Sequence, residues 1–195
     1  MPRTALTHLL YLHGFRSSPQ SAKARLMAEH IRRNAPGVHF WCPQLPPSPR
    51  EAMALVAEGV AGWPRAGMAV MGSSLGGFYA SWVAEQCGCP SVLLNPAVHP
   101  ARDLERYIGE QTAWHDPAES FYFRPEYIAE LRALDVSARP PAASQLAIIA
   151  KGDEVLDWRE MAARYPQAER RLLEGGDNAL SDFAAHLPEV DRFLG

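Results

Sequence analysis

The stretch MAVMGSSLGG, residues 68–77, decides the fold, because it joins a short apolar run directly to a glycine-rich turn. A helical pattern follows over residues 77–87. A serine between two glycines at a strand-to-helix turn is how a serine hydrolase presents its nucleophile. The pattern therefore predicts Ser74 as a nucleophile, with Gly72 and Gly76 as the small residues of the nucleophile elbow. A glycine-rich packing turn is the alternative interpretation.

Apolar runs and helical patterns alternate along the rest of the chain. Runs typical of buried parallel strands cover residues 6–12, 38–41, 68–71, 91–94, 145–150 and 171–173. Helical patterns cover residues 21–34, 50–62, 77–87, 158–165 and 181–194. This alternation predicts an α/β fold class with a doubly wound, mainly parallel sheet of about six strands. The length of 195 residues predicts one domain over residues 1–195.

Residues 96–141 interrupt the alternation after the fourth strand and carry an apparent helix pair. Ligands bind at the carboxyl ends of parallel strands, so an excursion at this point predicts a helical lid over about residues 97–141. Two interpretations are open for its aromatic residues: they line an acyl-binding wall, or they pack the lid onto the body. These residues are Tyr107, Trp114, Phe121, Tyr122, Phe123 and Tyr127.

A serine nucleophile needs a base, an acid that orients the base, and donors for the developing oxyanion. In a hydrolase of this architecture the acid follows a late strand and the base follows the last one. Asp153 comes first after the predicted strand 145–150 and is the candidate acid. We expect Asp157 instead to cap the helix that begins at Trp158.

Two backbone amides are candidates for the oxyanion hole. One belongs to Leu75, directly after the nucleophile, and the other to Phe15, in the loop after the first strand. Gly14 would let this loop turn tightly, and His13 would position it. A catalytic role for His13 is the alternative, although His13 follows the first strand rather than the last.

The loop expected to carry the base, residues 174–180, contains no histidine. The nearest one, His186, lies in the predicted terminal helix beside an apolar face, where a boundary histidine is the ordinary interpretation. His99 and His115 lie in the predicted lid. The base is therefore the missing part of the predicted machinery.

The composition restricts the partners that we expect. The 19 basic and 22 acidic side chains leave a net charge of −3 with no run of like charge, which predicts a small neutral substrate and neither a nucleic-acid nor a membrane partner. Cys42, Cys87 and Cys89 predict reduced, packed thiols, with no normal disulfide and no zinc site. The apolar residues 9–12 are too short for a signal or membrane segment, so we expect a cytoplasmic location.

The ordered motifs resemble the YqiA-type bacterial esterases, which are small α/β-hydrolases, over nearly the whole chain. The resemblance implies hydrolysis of short acyl esters or of acyl-CoA thioesters, with Ser74 as nucleophile, Asp153 as triad acid and no cofactor. The motifs are LYLHGF (residues 10–15), SSP (17–19), SAKA (21–24), PQLPP (43–47), GSSLGG (72–77), NPAV (95–98), GDEVLD (152–157) and EGG (174–176).

The same family carries the histidine of its Ser-His-Asp triad at the position that Asn178 fills here. An asparagine can hydrogen-bond to both neighbours, but its amide cannot accept the serine proton at neutral pH. We therefore expect an impaired serine esterase. Three explanations are open: a substitution made in an active parent, a natural loss that leaves a non-catalytic ligand-binding protein, and a base supplied by His186 or a lid histidine.

Overall fold

A six-stranded parallel sheet forms the centre of the computed structural model, which describes residues 5–195. Its strands are β1 (His8–Leu12), β2 (His39–Trp41), β3 (Met68–Ser73), β4 (Ser91–Leu94), β7 (Gln145–Ala150) and β8 (Glu169–Leu173). Their spatial order is β2-β1-β3-β4-β7-β8. Two more strands, β5 (Gly109–Thr112) and β6 (Ser120–Phe123), form a separate antiparallel ribbon. Residues 1–4 of the predicted domain lie outside the described residues.

Helices cover both faces of this sheet. They are α1 (Ala22–Asn34), α2 (Pro49–Gly59), α3 (Leu75–Cys87), α4 (Pro100–Asp103), α5 (Glu126–Ala133), α6 (Trp158–Arg164) and α7 (Leu187–Leu194). Alternate strand residues point to opposite faces. Leu10 therefore packs in one buried cluster with residues of α2 and α3, whereas Leu9 packs in a second cluster with residues of α1 and α7. The predicted α/β fold class, with a doubly wound parallel sheet of six strands, is confirmed.

Two predicted boundaries differ from the structure for identifiable reasons. The predicted terminal helix 181–194 is divided, because residues 183–186 form a 3₁₀ turn and α7 begins only at Leu187, with a proline in its first turn. The last strand runs over residues 169–173 rather than 171–173. Its first two residues, Glu169 and Arg170, are charged and exposed at the edge of the sheet, so they carry no hydrophobic signal.

The lid contains the two predicted helices, α4 and α5, and also the β5-β6 ribbon, which the sequence analysis did not predict. In the ribbon, Gly109 lies opposite Phe123 and Thr112 lies opposite Ser120. Exposure alternates along β6, since Tyr122 faces solvent between Phe121 and the buried Phe123. Four residues are too short a window for this alternation to be separated from an aromatic run in a helix.

The turn between β3 and α3 leaves no room for side chains at its glycines. A Cβ atom on Gly72 would overlap the backbone of Gly76, and a Cβ atom on Gly76 would overlap the carbonyl group of Leu12. The start of α3 therefore lies directly against the end of β1. Only glycine permits this approach of three backbone segments.

We expect Gly76→Ala to lower the free energy of unfolding by about 3 kcal/mol, because the added methyl group meets backbone atoms that cannot move aside. Gly62→Ala is the matched control, since no atom lies within 4 Å of a Cβ added there. It should change the free energy of unfolding by less than about 0.5 kcal/mol. Chemical denaturation followed by circular dichroism measures both values. Equal losses in the two variants would contradict the close approach.

Candidate active site

Ser74 lies at the start of α3 in a strained backbone conformation, with φ 55° and ψ −119°. Such a positive φ is costly for a residue other than glycine and persists only where its surroundings fix it. The Ser74 N–H donates to the Leu94 carbonyl at 3.0 Å, and the Ser74 carbonyl accepts from Gly77 and Ala97, both at 2.9 Å. The hydroxyl makes no capping bond to α3, so it is available for chemistry.

A cavity of about 470 Å³ lies at the carboxyl edge of the sheet, beneath the lid. We call it the Ser74 cavity. Ser74, Leu75, Phe15 and Asn178 all line it. The structure therefore brings the predicted nucleophile, both predicted oxyanion residues and the position of the expected histidine to one cavity, although they are far apart in the sequence.

Asp153 lies behind Asn178. The Asn178 Nδ2 donates to both carboxylate oxygens of Asp153, at 3.1 and 3.0 Å. The Asp153 Oδ1 also accepts from the backbone N–H groups of Val155 and Leu156, both at 2.8 Å. Burial raises the pKa of Asp153, and these hydrogen bonds oppose the rise. The carboxylate is thus held facing the side chain at position 178.

Asp157, the alternative acid, caps α6 as predicted. Its Oδ1 accepts from the backbone N–H of Arg159 at 2.9 Å. The side chain is therefore used at the start of a helix, which is the ordinary place for an aspartate. Neither aspartate lines the Ser74 cavity itself, and it is Asp153 that contacts Asn178.

The two predicted oxyanion donors lie at the ends of neighbouring strands. Leu75 is the first residue of α3, so its N–H has no carbonyl partner within the helix. Phe15 lies in a turn that the Ser17 N–H closes by donating to the Gly14 carbonyl at 3.2 Å. The left-handed residue of this turn is Arg16, with φ 61°, and not the glycine to which the sequence analysis assigned the tight turn.

His13 is buried and both of its ring nitrogens have partners. Its Nδ1 lies 2.9 Å from the Gly14 carbonyl oxygen, and its Nε2 accepts from the Leu45 N–H at 3.0 Å. Burial lowers the pKa of His13, so the neutral ring suits both bonds. This arrangement fits the predicted loop-positioning role. A ring nitrogen that already accepts a hydrogen bond is not free to take the serine proton.

The other candidate histidines are absent from the walls of the Ser74 cavity. His186 is largely buried beside Asp182, with 3.3 Å between the His186 Nε2 and the Asp182 Oδ2. The His115 Nε2 pairs with Glu119 at 2.9 Å, and His99 lines a different surface cavity. None of the three lines the cavity that holds Ser74. The explanation in which one of them supplies the base therefore has no geometric support.

The lid aromatics divide between the two interpretations left open. Tyr107 and Trp114 line the Ser74 cavity. Phe121 and Phe123 pack edge-on against Phe15, with ring centroids 5.9 and 5.2 Å apart. Some rings therefore form a wall of the cavity, while others fasten the lid to the loop that carries a predicted oxyanion donor.

A family model matches residues 8–195, which is almost the whole chain, and is described as Uncharacterised protein family (UPF0227). The chain belongs to this family. The match confirms the resemblance to the YqiA-type proteins. No helix within residues 5–195 has both the length and the apolar character needed to span a membrane. The same residues contain no cluster of three or more His, Cys, Asp or Glu suited to a metal ion.

Several solved structures share the fold of this UPF0227 chain. Est1E from Butyrivibrio proteoclasticus with bound ferulic acid has a TM-score of 0.73 at 14% identity, over 95% of this chain and 86% of that one. Mouse alpha/beta hydrolase domain-containing protein 10 has a TM-score of 0.69 at 15% identity, over 96% and 90%. The esterase domain of a Rhodothermus marinus protein has 0.68 at 18%, over 98% and 89%. At these identities the likeness shows the α/β-hydrolase fold.

Asn95 holds the site of the UPF0227 chain together, and sequence reasoning missed this role. Its buried side chain accepts from the Ala150 N–H at 2.8 Å through Oδ1. Its Nδ2 donates to the carbonyl groups of Asp177 and Asn178, at 3.0 and 3.3 Å. One amide thus ties β4 and β7 to the loop of Asn178. The sequence signal for this role is an asparagine placed directly after a predicted buried strand.

Lys23 fastens the same loop, and its place in the SAKA motif is the only sequence signal for this role. Its Nζ donates to the carbonyl group of Ala179, and the side chain lines the Ser74 cavity. Burial lowers the pKa of Lys23, while the charges of Asp177 and Asp153 oppose this shift. Two side chains from separate elements therefore fix the position of residues 177–179.

We expect Asn95→Ala to lower the free energy of unfolding by about 3 kcal/mol, because one buried and two partly buried backbone groups lose their partner. Asn34→Ala removes an exposed asparagine whose amide bonds only within α1, and it should cost less than about 1 kcal/mol. Chemical denaturation compares the two variants. If the free energy of unfolding falls no more for Asn95→Ala than for Asn34→Ala, the hydrogen bonds of Asn95 do not stabilise the fold.

The raised pKa of Asp153 predicts a dependence of stability on pH. Since the folded chain holds this proton more tightly than the unfolded chain, Asp153 stabilises the fold at low pH, and this contribution is lost as the pH rises through the folded pKa. Asp153→Asn cannot titrate. Between pH values of about 7 and about 4, the unsubstituted chain should gain stability relative to Asp153→Asn as the pH falls. A constant difference would contradict the shift.

Proposed function

We propose that this chain is a serine esterase of the α/β-hydrolase fold whose triad base is replaced by Asn178. In this proposal Ser74 attacks an acyl carbonyl carbon, and the backbone amides of Leu75 and Phe15 stabilise the oxyanion. Asp153 orients the residue at position 178. The chain as it stands hydrolyses esters only slowly, because the asparagine at position 178 cannot take the serine proton.

The hydrogen bonds between Asn178 and Asp153 carry this proposal. In a Ser-His-Asp triad the aspartate accepts a hydrogen bond from a ring N–H of the histidine and thereby orients the ring toward the serine. Here the Asn178 Nδ2 takes the donor role toward both Asp153 oxygens, at 3.1 and 3.0 Å, while Asn178 lines the same cavity as Ser74. The asparagine supplies the orienting contact without the basic nitrogen.

The strained conformation of Ser74 gives independent support. A backbone held at φ 55° costs stability unless something compensates, and such strain clusters at functional sites. A packing turn would not need a serine at this position, because glycine adopts the same conformation without strain. The retained serine therefore favours a nucleophile over a simple packing turn.

The Ser74 cavity has room for a small acyl ester. Its volume of about 470 Å³ suits a small ligand, and apolar side chains from the lid and the loops form part of its wall. Acyl-CoA thioesters are the second substrate class in the proposal, because Arg16, Lys23 and Arg106 also line the cavity and would attract phosphate groups. No cofactor takes part in either reaction.

We expect Asn178→His to raise the hydrolysis of a short-chain p-nitrophenyl ester by about 10³-fold or more, since it supplies the missing base. Asn178→Gln is the matched control, because it offers an amide without a base and should give no gain. Ser74→Ala combined with Asn178→His should abolish the gain. Initial rates over several acyl lengths measure all of these variants.

A second candidate function is a non-catalytic ligand-binding protein. The loss of the histidine together with an intact cavity favours it, and the same rate measurements separate the two candidates. If Asn178→His stays at the level of Ser74→Ala for every acyl length, the esterase proposal is wrong for these substrates. Calorimetric binding of the same esters to the unsubstituted chain would then support the binding protein. If the esters are neither hydrolysed nor bound, both candidate functions are wrong for these substrates.

A further inference from the structure

A pair of thiols lies at the end of the molecule opposite Ser74. Cys87 is the last residue of α3 and is half-buried, and Cys89 is fully buried just before β4 begins. Gly88 separates them in the left-handed conformation, with φ 63°, and caps the helix. Helix α3 therefore has the predicted nucleophile at one end and two cysteines at the other. The proposed esterase chemistry uses neither cysteine.

Arg65 directs its charge at the more accessible thiol. The Arg65 Nη1 donates to the Cys87 Sγ at 2.7 Å and to the Met68 Sδ at 3.6 Å. No carboxylate in the described part of the chain forms an ion pair with this guanidinium, which is exposed. The carboxyl end of a helix disfavours a negative charge. The positive charge of Arg65, in direct contact with the Cys87 sulfur, instead stabilises a negative charge on that sulfur.

The two thiols differ sharply in acidity. The neighbouring Cys89 thiol and the Arg65 guanidinium lower the pKa of Cys87 against the effect of burial. The Cys87 sulfur and burial raise the pKa of Cys89. Burial raises the pKa of Cys42, the third cysteine, to about 12. Cys87, which contacts Arg65 and is partly accessible, is therefore the thiol that more readily supplies a thiolate.

We propose that Cys87 and Cys89 form a peroxide-sensitive thiol pair, in which Cys87 is oxidised first and Cys89 then closes a disulfide. A nucleophilic thiolate, partial access to solvent and a neighbouring second thiol are the features of a redox-sensitive cysteine. Arg65, Cys87 and Cys89 provide these features in one place. Cys42 is the internal comparison, since it has neither the arginine nor the second thiol.

The chemistry balances with hydrogen peroxide as the oxidant. The Cys87 thiolate attacks one peroxide oxygen, the O–O bond breaks, and the released hydroxide takes a proton to become water. Sulfur is oxidised to a sulfenic acid and peroxide is reduced. Cys89 then loses its proton and attacks the Cys87 sulfur, which forms the S–S bond and expels a second hydroxide that leaves as water. Two thiols and one peroxide thus give one disulfide and two waters.

A disulfide across a single glycine closes a small ring. Such rings depart from the usual disulfide geometry and are reduced more readily than structural disulfides. This agrees with the short spacing that argues against a normal, permanent bridge. The modification is therefore reversible by a dithiol, which distinguishes it from further oxidation of Cys87 to a sulfinic acid.

Peroxide titration of the reduced chain, followed by alkylation, tryptic digestion and mass spectrometry, tests the proposal without any activity measurement. Residues 66–102 form one tryptic peptide that contains both cysteines, and residues 34–50 form another that contains Cys42. The first peptide should lose the mass of two hydrogen atoms, escape alkylation and regain both thiols with dithiothreitol. It should react at least about tenfold faster than the Cys42 peptide.

Variants separate the two steps. Cys89→Ser should leave a sulfenic acid on Cys87 that dimedone traps. Arg65→Gln should slow the oxidation of Cys87 several-fold, whereas Arg124→Gln, which removes an exposed arginine of the lid, should not. Equal oxidation rates at Cys42 and Cys87 would overturn the proposal. So would a sulfenic acid that persists on Cys87 in the unsubstituted chain with no disulfide formed.

Discussion

The steric contact between the start of α3 and the end of β1 is the constraint on which the rest of the structure depends. Because Gly76 lies against the Leu12 carbonyl group and Gly72 lies against Gly76, the chain must reverse at Ser74. This reversal accounts for the positive φ of Ser74 and for the free amide of Leu75. One backbone contact thus sets the positions of both the Ser74 hydroxyl group and the Leu75 amide, a predicted oxyanion donor.

A polar network centred on the buried Asn95 side chain then brings the remaining groups to the same place. Asn95 bonds to the end of β7 and to the loop after β8, and Lys23 bonds to the next residue of that loop. Asp153 is fixed by backbone amides and faces Asn178. A buried amide is costly unless its hydrogen bonds are made, so Asn95 favours one conformation of this loop. Asn178, at the position of the expected histidine, is therefore held in place like the other predicted site residues.

Much of the fold and of the site geometry follows from local sequence signals. The apolar runs predict the strands, and the glycines around Ser74 predict the elbow, because both depend on a few adjacent residues. The β5-β6 ribbon was missed since its strands are short, and β8 was shortened since its edge residues are exposed. The roles of Asn95 and Lys23 arise from contacts between distant segments, which no local pattern contains.

The polar sequence of β8 has a consequence for association between copies of the chain. An edge strand offers unpaired backbone groups to which a strand of another molecule can bond. Strand β8 presents Glu169, Arg170 and Arg171 along this edge, and all three are exposed. A second strand that docked there would desolvate these charges and place like charges side by side. The charged residues that made this strand hard to predict therefore also protect this edge of the sheet against growth into fibrous aggregates.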